Sequence, residues 1–397
     1  MAGFALFASV AVASSSPQLW PLPTSASFGD PALPPTRFAS IVFTVPSGAD
    51  PVLAAAAARY TKIITSSAAG SGTKTMLSVM VTVADGNAPL SPGSALDETY
   101  SISKPAASGS IAISAASQWG AIKAFETLSQ AVVVSDGMLA LPGGRVAITD
   151  APRFSWRGLM IDTGRNYLSV TTLKMCLDAM AYTKLNVLHW HLTDDQSFPI
   201  VVSTLPRLAA GGAFSPRHTY TANDIAAVVA YARARGIAVL PELDVPGHTE
   251  SWTQPGGEAG LRSRCAIPGA SFSAPLDPTQ NATYAMLRSL LAALDPLFAN
   301  SSEFPYWHLG GDEVEYECVC SFPPSLFLAL FALRAPIARA PQLLAACATT
   351  ATTTAAAATT TTMTTTTRSS RPRHVSQDPP PGHPLCRALS LRTSTAP

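Results

Sequence analysis

Apolar and polar residues follow two rhythms along this chain. Through residues 14–150, short apolar runs alternate with helical stretches: IVFTV at 41–45, LSVMVTV at 77–83 and IAI at 111–113 read as strands. SQWGAIKAFETLSQAVV at 117–133 carries its apolar residues at helical spacing. Strands mixed with helices predict a small α/β domain, in which no residue stands out as catalytic.

From Phe154 the order becomes regular. WRGLMID (156–162), LNVLHWHL (185–192), IAVLPELD (237–244) and YWHLGG (306–311) read as four strands. Between them, one helix starts at Ser169 or Thr171 and runs to about Thr183. A second opens on a capping box, Thr221 with Asp224, and runs to Arg235 before Gly236. A third covers 282–298. Strands separated by helices imply parallel pairing with right-handed crossovers, which fits both an open doubly wound sheet and a (β/α)8 barrel. The polar residues favour the barrel. Asp162 with Arg165, His191 with Asp194 and Asp195, Glu242 with Asp244 and His248, and Asp312 with Glu313 all fall at or beyond C-terminal strand ends, where barrel enzymes build their sites. The expected fold class is therefore α/β: a TIM-type barrel over residues 151–320, with about its first four βα units recognisable, preceded by the smaller domain.

The rhythm stops near Cys320. Residues 349–367 hold thirteen Thr, five Ala and one Met, a Pro- and Arg-rich stretch follows, and 321–397 is expected to be a low-complexity or aberrant tail. That composition cannot build the other half of a barrel.

Charge sharpens the division. Of 397 residues, 47% are hydrophobic and 13% charged, enough for two cores. Residues 321–397 hold seven arginines and one acid, leaving 19 basic against 24 acidic residues in 1–320. An acidic body speaks against nucleic acid or an anionic membrane as partner. GFALFASVAVA at 3–13 has the length of a signal-peptide core and ends in small residues, so 1–13 is expected to be a leader cut near Ser14, although no basic residue precedes it. No apolar run reaches the ~18 residues of a spanning helix. Asn281-Ala-Thr and Asn300-Ser-Ser are sequons, meaningful in the secretory pathway.

The candidate chemistry centres on YWHLGGDEVEYECV at 306–319. Neighbouring strand residues point to opposite faces, so Asp312 and Glu313 can share a site only where the strand ends. Gly310 and Gly311 permit close approach of a substrate or backbone. Two carboxylates this close oppose each other's ionisation, which suits an acid beside a charged orienting group. Tyr306, Trp307, Trp190 and Trp252 flank the polar groups; core packing and a sugar-facing role weigh about equally for each Trp. HWH followed by Asp194-Asp195 offers no complete ligand set, so neither metal nor cofactor is expected.

WRGLMIDTGRNYL, NVLHWHLTDDQSFP, PELDVPGHTESW and WHLGGDEV, in this order, resemble successive signatures of the β-N-acetylhexosaminidases, glycoside hydrolase family 20, and LWPLPTSASFG (19–29) resembles the start of that family's mature chain. The resemblance implies a retaining reaction in which the substrate's 2-acetamido group is the nucleophile. It assigns Glu313 as general acid/base and Asp312 as the residue holding the acetamido N–H. Arg165 would grip sugar hydroxyls, and Asp194 with His248 would order the sugar contacts and Glu313; His191 and Asp195 are supporting candidates. Cys265 and Cys318 match a family disulfide. The implied partners are glycans ending in N-acetylglucosamine or N-acetylgalactosamine, with a homodimer as the candidate assembly and a lysosome-like, vacuole-like or extracellular destination. The family's later tryptophans, and its later Tyr, Asp and Glu contacts, have no counterpart here. A non-catalytic carbohydrate-binding protein and an inactive truncated product are thus the competing readings.

Overall fold

A computed structural model of the chain describes residues 17–29, 33–66, 75–93, 96–106, 108–135, 137–263, 275–299 and 306–314. Cys265, Cys318, Asn300, the 1–13 leader and the 321–397 tail lie outside the described residues.

The first part builds β1 (Ser25–Phe28), β2 (Thr36–Phe38), β3 (Ser40–Thr44), α1 (Pro51–Thr65), β4 (Met76–Asp85), β5 (Tyr100–Lys104), β6 (Ser110–Ser117), α2 (Gln118–Ala131), β7 (Val133–Ser135), β8 (Met138–Leu141) and β9 (Val146–Asp150). Six strands form one sheet in the order β1-β9-β5-β6-β4-β3, and β2-β8-β7 form a small second sheet. One face of the large sheet supplies Ile41, Leu77, Val79, Val81, Ile102, Ile111, Ile113 and Ile148 to a core shared with α1 and α2. The α2 helix starts where its sequence provides a cap: the Ser117 side chain accepts from the Gly120 N–H.

The second part begins with β10 (Gly158–Asp162), α3 (Val170–Tyr182) and β11 (Val187–Thr193). It continues through α4 (Pro206–Gly212), α5 (Ala222–Arg233), β12 (Ala238–Leu243) and α6 (Asn281–Ala299). The strands pair in parallel in the order β10-β11-β12. Residues 308–309 continue this series on the free side of β12: His308 N–H donates to Pro241 O, and Leu243 and Val245 N–H donate to His308 and Leu309 O. The expected capping box is formed, Thr221 and Asp224 bonding reciprocally. The expected fourth strand, 306–311, shrinks to a bridge at His308 because Gly310 (φ 60°) and Gly311 (φ 91°) leave the extended region.

Alternation sets the two faces of this sheet. Leu188, Trp190 and Leu192 turn outward into the core made with α3, α5 and α6. His189 and His191 turn the other way, in register with Leu240 and Glu242 of β12. Trp190 and Trp252 are fully buried, packed edge-on against Tyr220 and Phe198. Both therefore belong to the core, which corrects the sugar-facing alternative for them. Trp307 donates to Asp295 and packs on Phe298 of α6, while Tyr306 is exposed.

Charged side chains, buried or half-buried, join the two parts. Glu98 accepts from Arg157 Nη2 (2.5 Å) and Asn186 Nδ2 (3.1 Å). Lys184 Nζ reaches Tyr100 OH (2.8 Å) and Asp150 Oδ2 (2.9 Å). Lys123 Nζ donates to Leu185 O at 3.3 Å, and burial pushes its amine down to about 8. These bonds hold the underside of the parallel sheet, at the N-terminal ends of its strands, against the first part.

Candidate active site

Each strand end delivers one part of the rim. After β10, Asp162 folds the loop back on itself: its Oδ1 accepts the N–H groups of Gly164 and Arg165, and its Oδ2 accepts from Arg165 Nη1 at 2.7 Å. A Cβ on Gly164 would lie 2.4 Å from Asp194 N, so this close approach of loops requires glycine. The approach lets Arg165 Nη2 reach Asp194 Oδ2 at 3.1 Å, with the Arg165 side chain 43% exposed.

After β11, Asp194 is buried between cations. His191 Nε2 lies 2.9 Å from its Oδ2, and His248 Nδ1 lies 3.4 Å from its Oδ1. Burial alone would raise the Asp194 carboxyl; the bonds from His191 and His248 outweigh it and hold the group far below the usual carboxylate range. After β12, His248 sits at φ 54°, an uncommon conformation for a side-chain-bearing residue, and its Nε2 faces Glu313 Oε2 at 3.4 Å. The Asp194 bond, working against burial, lifts His248 to about 9.

The fourth strand ends in the acidic pair. Asp244 lies beneath it, with Oδ1 accepting Gly311 N–H at 2.9 Å. A Cβ on Gly310 would come within 1.9 Å of that same oxygen, so the bend before Asp312 depends on glycine. Burial pushes the Asp244 carboxyl up to about 6. Glu313 is also in the left-handed region, at φ 52°, with its side chain 59% exposed. Asp312 is exposed, and one of its oxygens lies within 4.8 Å of ligand atoms of Asp244 and His248.

The structure thus brings together Arg165, Asp194, His248, Asp312 and Glu313, all singled out in the sequence. Asn281 opens α6 with its side chain exposed, while Thr283 of the same sequon is buried and donates to Asp277 O. Sequence reasoning gave no part to His189 and His308, which surround Glu242 with His191. His189 Nε2 lies 2.6 Å and His191 Nδ1 2.9 Å from Glu242 Oε2, and His308 Nδ1 lies 2.8 Å from Oε1. The available signal was alternation: LHWH places two imidazoles on the face opposite Trp190. The donor atoms of His189, Glu242 and His308 converge as a cation site would. Each already makes a hydrogen bond within the set, so they form an imidazole–carboxylate network.

Parallel βα units with a carboxylate–imidazole cluster at their C-terminal rim put the candidate site where barrel-type enzymes build theirs. Residues 154–328 match the glycosyl hydrolase family 20 catalytic domain, and residues 19–131 match a domain described as beta-acetyl hexosaminidase like. The chain belongs to glycoside hydrolase family 20. It is 43% identical over 236 residues to the beta-hexosaminidase subunit beta of Mus musculus, covering 58% of this chain and 42% of that protein. It is 35% identical over 328 residues to beta-hexosaminidase 1 of Arabidopsis thaliana, covering 77% of this chain and 58% of that one. The X-ray structure of Flavobacterium johnsoniae chitobiase superposes with a TM-score of 0.63 at 28% identity, over 80% of this chain and 48% of the other. The chain therefore spans about half the length of these relatives. The expected barrel is the fold, and the described residues build three βα units and the fourth strand.

Proposed function

We propose that this site hydrolyses terminal β-linked N-acetylhexosamine residues by a retaining reaction assisted by the substrate. One observation carries the reading: Glu313 stands at the rim with its carboxylate turned to His248 Nε2, and Asp194 stands behind that imidazole. Glu313 protonates the leaving oxygen and later activates water. Asp312 holds the acetamido N–H, so that the substrate's carbonyl oxygen attacks the anomeric carbon. Adjacent residues at one strand end suit this division better than a nucleophile–acid pair flanking the bond about 5–5.5 Å apart. An internal nucleophile held in place lowers the barrier by about 7 kcal/mol or more. Arg165 grips the hydroxyls of the terminal sugar, its guanidinium aimed by Asp162 and Asp194.

The substrates are glycans ending in N-acetylglucosamine or N-acetylgalactosamine, met in the secretory pathway, a lysosome- or vacuole-like compartment or outside the cell. Among the described residues no helix is long and apolar enough to cross a membrane. In that setting Cys265 pairs with Cys318, Asn281 and Asn300 carry glycans, and the chain divides at about residue 150. A homodimer is the assembly proposed.

The test is release of a chromogenic aglycone from an N-acetylglucosaminide. Glu313→Gln is expected to lower kcat by about 10²–10⁴-fold. Hydrolysis that survives the substitution would remove Glu313 from the mechanism. A second reading, binding without turnover, draws on the exposure of Asp312 and Glu313. Saturable sugar binding by a chain without hydrolysis would favour it.

A further inference from the structure

The cluster reaches deeper than the residues that face the rim. His191 is buried between two carboxylates, Nδ1 toward Glu242 Oε2 and Nε2 toward Asp194 Oδ2, each at 2.9 Å. Carboxylates and imidazoles therefore alternate along Glu242, His191, Asp194, His248 and Glu313, drawn from three adjacent strands and their following loops.

We propose that Glu242 and His191 are positioning residues: they lock the Asp194 carboxylate, and through it the His248 ring that faces Glu313. The proposal rests on the reading of the site given above. Asp194 Oδ2 is held from two sides, by His191 Nε2 and Arg165 Nη2, so the carboxylate cannot turn. That leaves Oδ1 to the Asp195 N–H at 2.6 Å and to His248 Nδ1. His191 in turn cannot flip, because both ring nitrogens are engaged. A clamp joining the strands would be complete with His189 and His308 on Glu242. The second nitrogen of His191 adds nothing to such a clamp and ties it to the site.

Electrostatics run the same way. Around His191 stand Glu242 from β12, Asp194 beyond its own strand and Asp162 from β10. Burial disfavours its cation, but the bonds to Asp194 and Glu242 outweigh burial and lift it to about 10. His248 faces Asp194, Asp195, Asp244 and Glu313. A cationic His191 keeps both of its N–H groups donating across the neutral range, and so keeps Asp194 in place.

The experiment follows the seven histidines of the full chain by ¹⁵N imidazole resonances, assigned through single His→Gln substitutions. In Glu242→Gln the midpoint of His248 is expected to fall by about one pH unit, a tenfold loss of proton affinity, as the bond to Asp194 loosens. Where hydrolysis is measurable, kcat should fall about tenfold with KM within about twofold. A His248 midpoint that stays or rises overturns the proposal, as does a rise in KM at constant kcat. If Glu242→Gln does not fold, His191→Gln is read instead, since it leaves His189 and His308 on Glu242. It must show the same fall in His248, and its own failure to fold would assign both residues to the fold alone and overturn the proposal. A wild-type chain without hydrolysis would defeat the proposed function, while the His248 titration would still decide this inference.

Discussion

The six-stranded sheet of the first part and the parallel sheet of the second use alternation for opposite ends. In the first, inward positions are aliphatic and outward positions along β4 and β6 are Met76, Ser78, Met80 and Thr82, and Ser110, Ala112 and Ser114. The one ionisable group along those two strands is Asp85, at the very end of β4. In the parallel sheet the outward face packs on helices, and the inward face ends in His189, His191, Glu242 and His308. The apolar core of the first part is held by burial, which is nearly indifferent to pH, and its pH-sensitive groups, such as the buried Lys123, lie off that core at the junction with the second part. The rim is held by charge pairs, whose strength depends on protonation. Stability and chemistry are thus placed in different layers of one chain.

The largest expected effect tests the apolar half of that contrast. Phe125 is fully buried in α2 against Phe43 and Tyr60. Phe125→Ala should cost about 3–5 kcal/mol, read as a lower denaturant midpoint, with the pH dependence of stability unchanged in shape. A changed shape would mean the two layers are coupled. Next is Gly310→Ala, whose Cβ collides with Asp244 and whose φ of 60° disfavours a side chain. A loss of about 1–3 kcal/mol is expected, together with loss of hydrolysis out of proportion to it. Unchanged activity would show that the bend before Asp312 does not govern the site.

The pH dependence should sharpen the contrast further. His191 and His248 are raised to about 10 and about 9 in the folded chain. Their contribution is therefore complete below about pH 6.5, the unfolded value, and is lost as pH rises through the folded values. Asp194 and Glu242 are depressed, so their contribution is present above about pH 4 and is lost as pH falls below it. Asp244, raised to about 6, adds a penalty that grows from about pH 4 to pH 6. Urea midpoints should accordingly be highest in mildly acidic buffer and decline from about pH 6.5 towards pH 9, with the depressed Lys123 amine working against the loss above about pH 8. A flat profile across that alkaline range would break the assignment of charge to these imidazoles. The smallest effect is local: Thr221→Ala removes the α5 capping box and should cost about 1 kcal/mol, with catalysis untouched.

Several elements were legible because their signals are local. The helix expected from Ser169 runs Val170–Tyr182 with Ser169 as its cap, and the strand expected at 237–244 runs Ala238–Leu243. The α4 helix escaped notice because Pro206–Gly212 is short and has no side-chain cap. The roles of Trp190 and Trp252 could not be read, since a tryptophan beside polar residues in sequence can face either side of a sheet. The roles given to Arg165, Asp194, His248, Asp312 and Glu313 came through the motif resemblance, as no local pattern distinguishes a rim carboxylate from a solvated one. Asp244, placed at the rim from sequence, turned out to support the Gly310–Gly311 bend, which only close packing reveals.

By itself, the sequence determined the succession of strands and helices, the rim where ionisable residues collect and the family to which the motifs point. All of these are written in spacings of a few residues. The tertiary structure alone decided which carboxylate meets which imidazole. His191 is opposite Glu242 and Glu242 opposite His308 because of strand register across about fifty residues or more of intervening chain. One residue of slip would turn those side chains to the other face, so the network exists only once the sheet has formed.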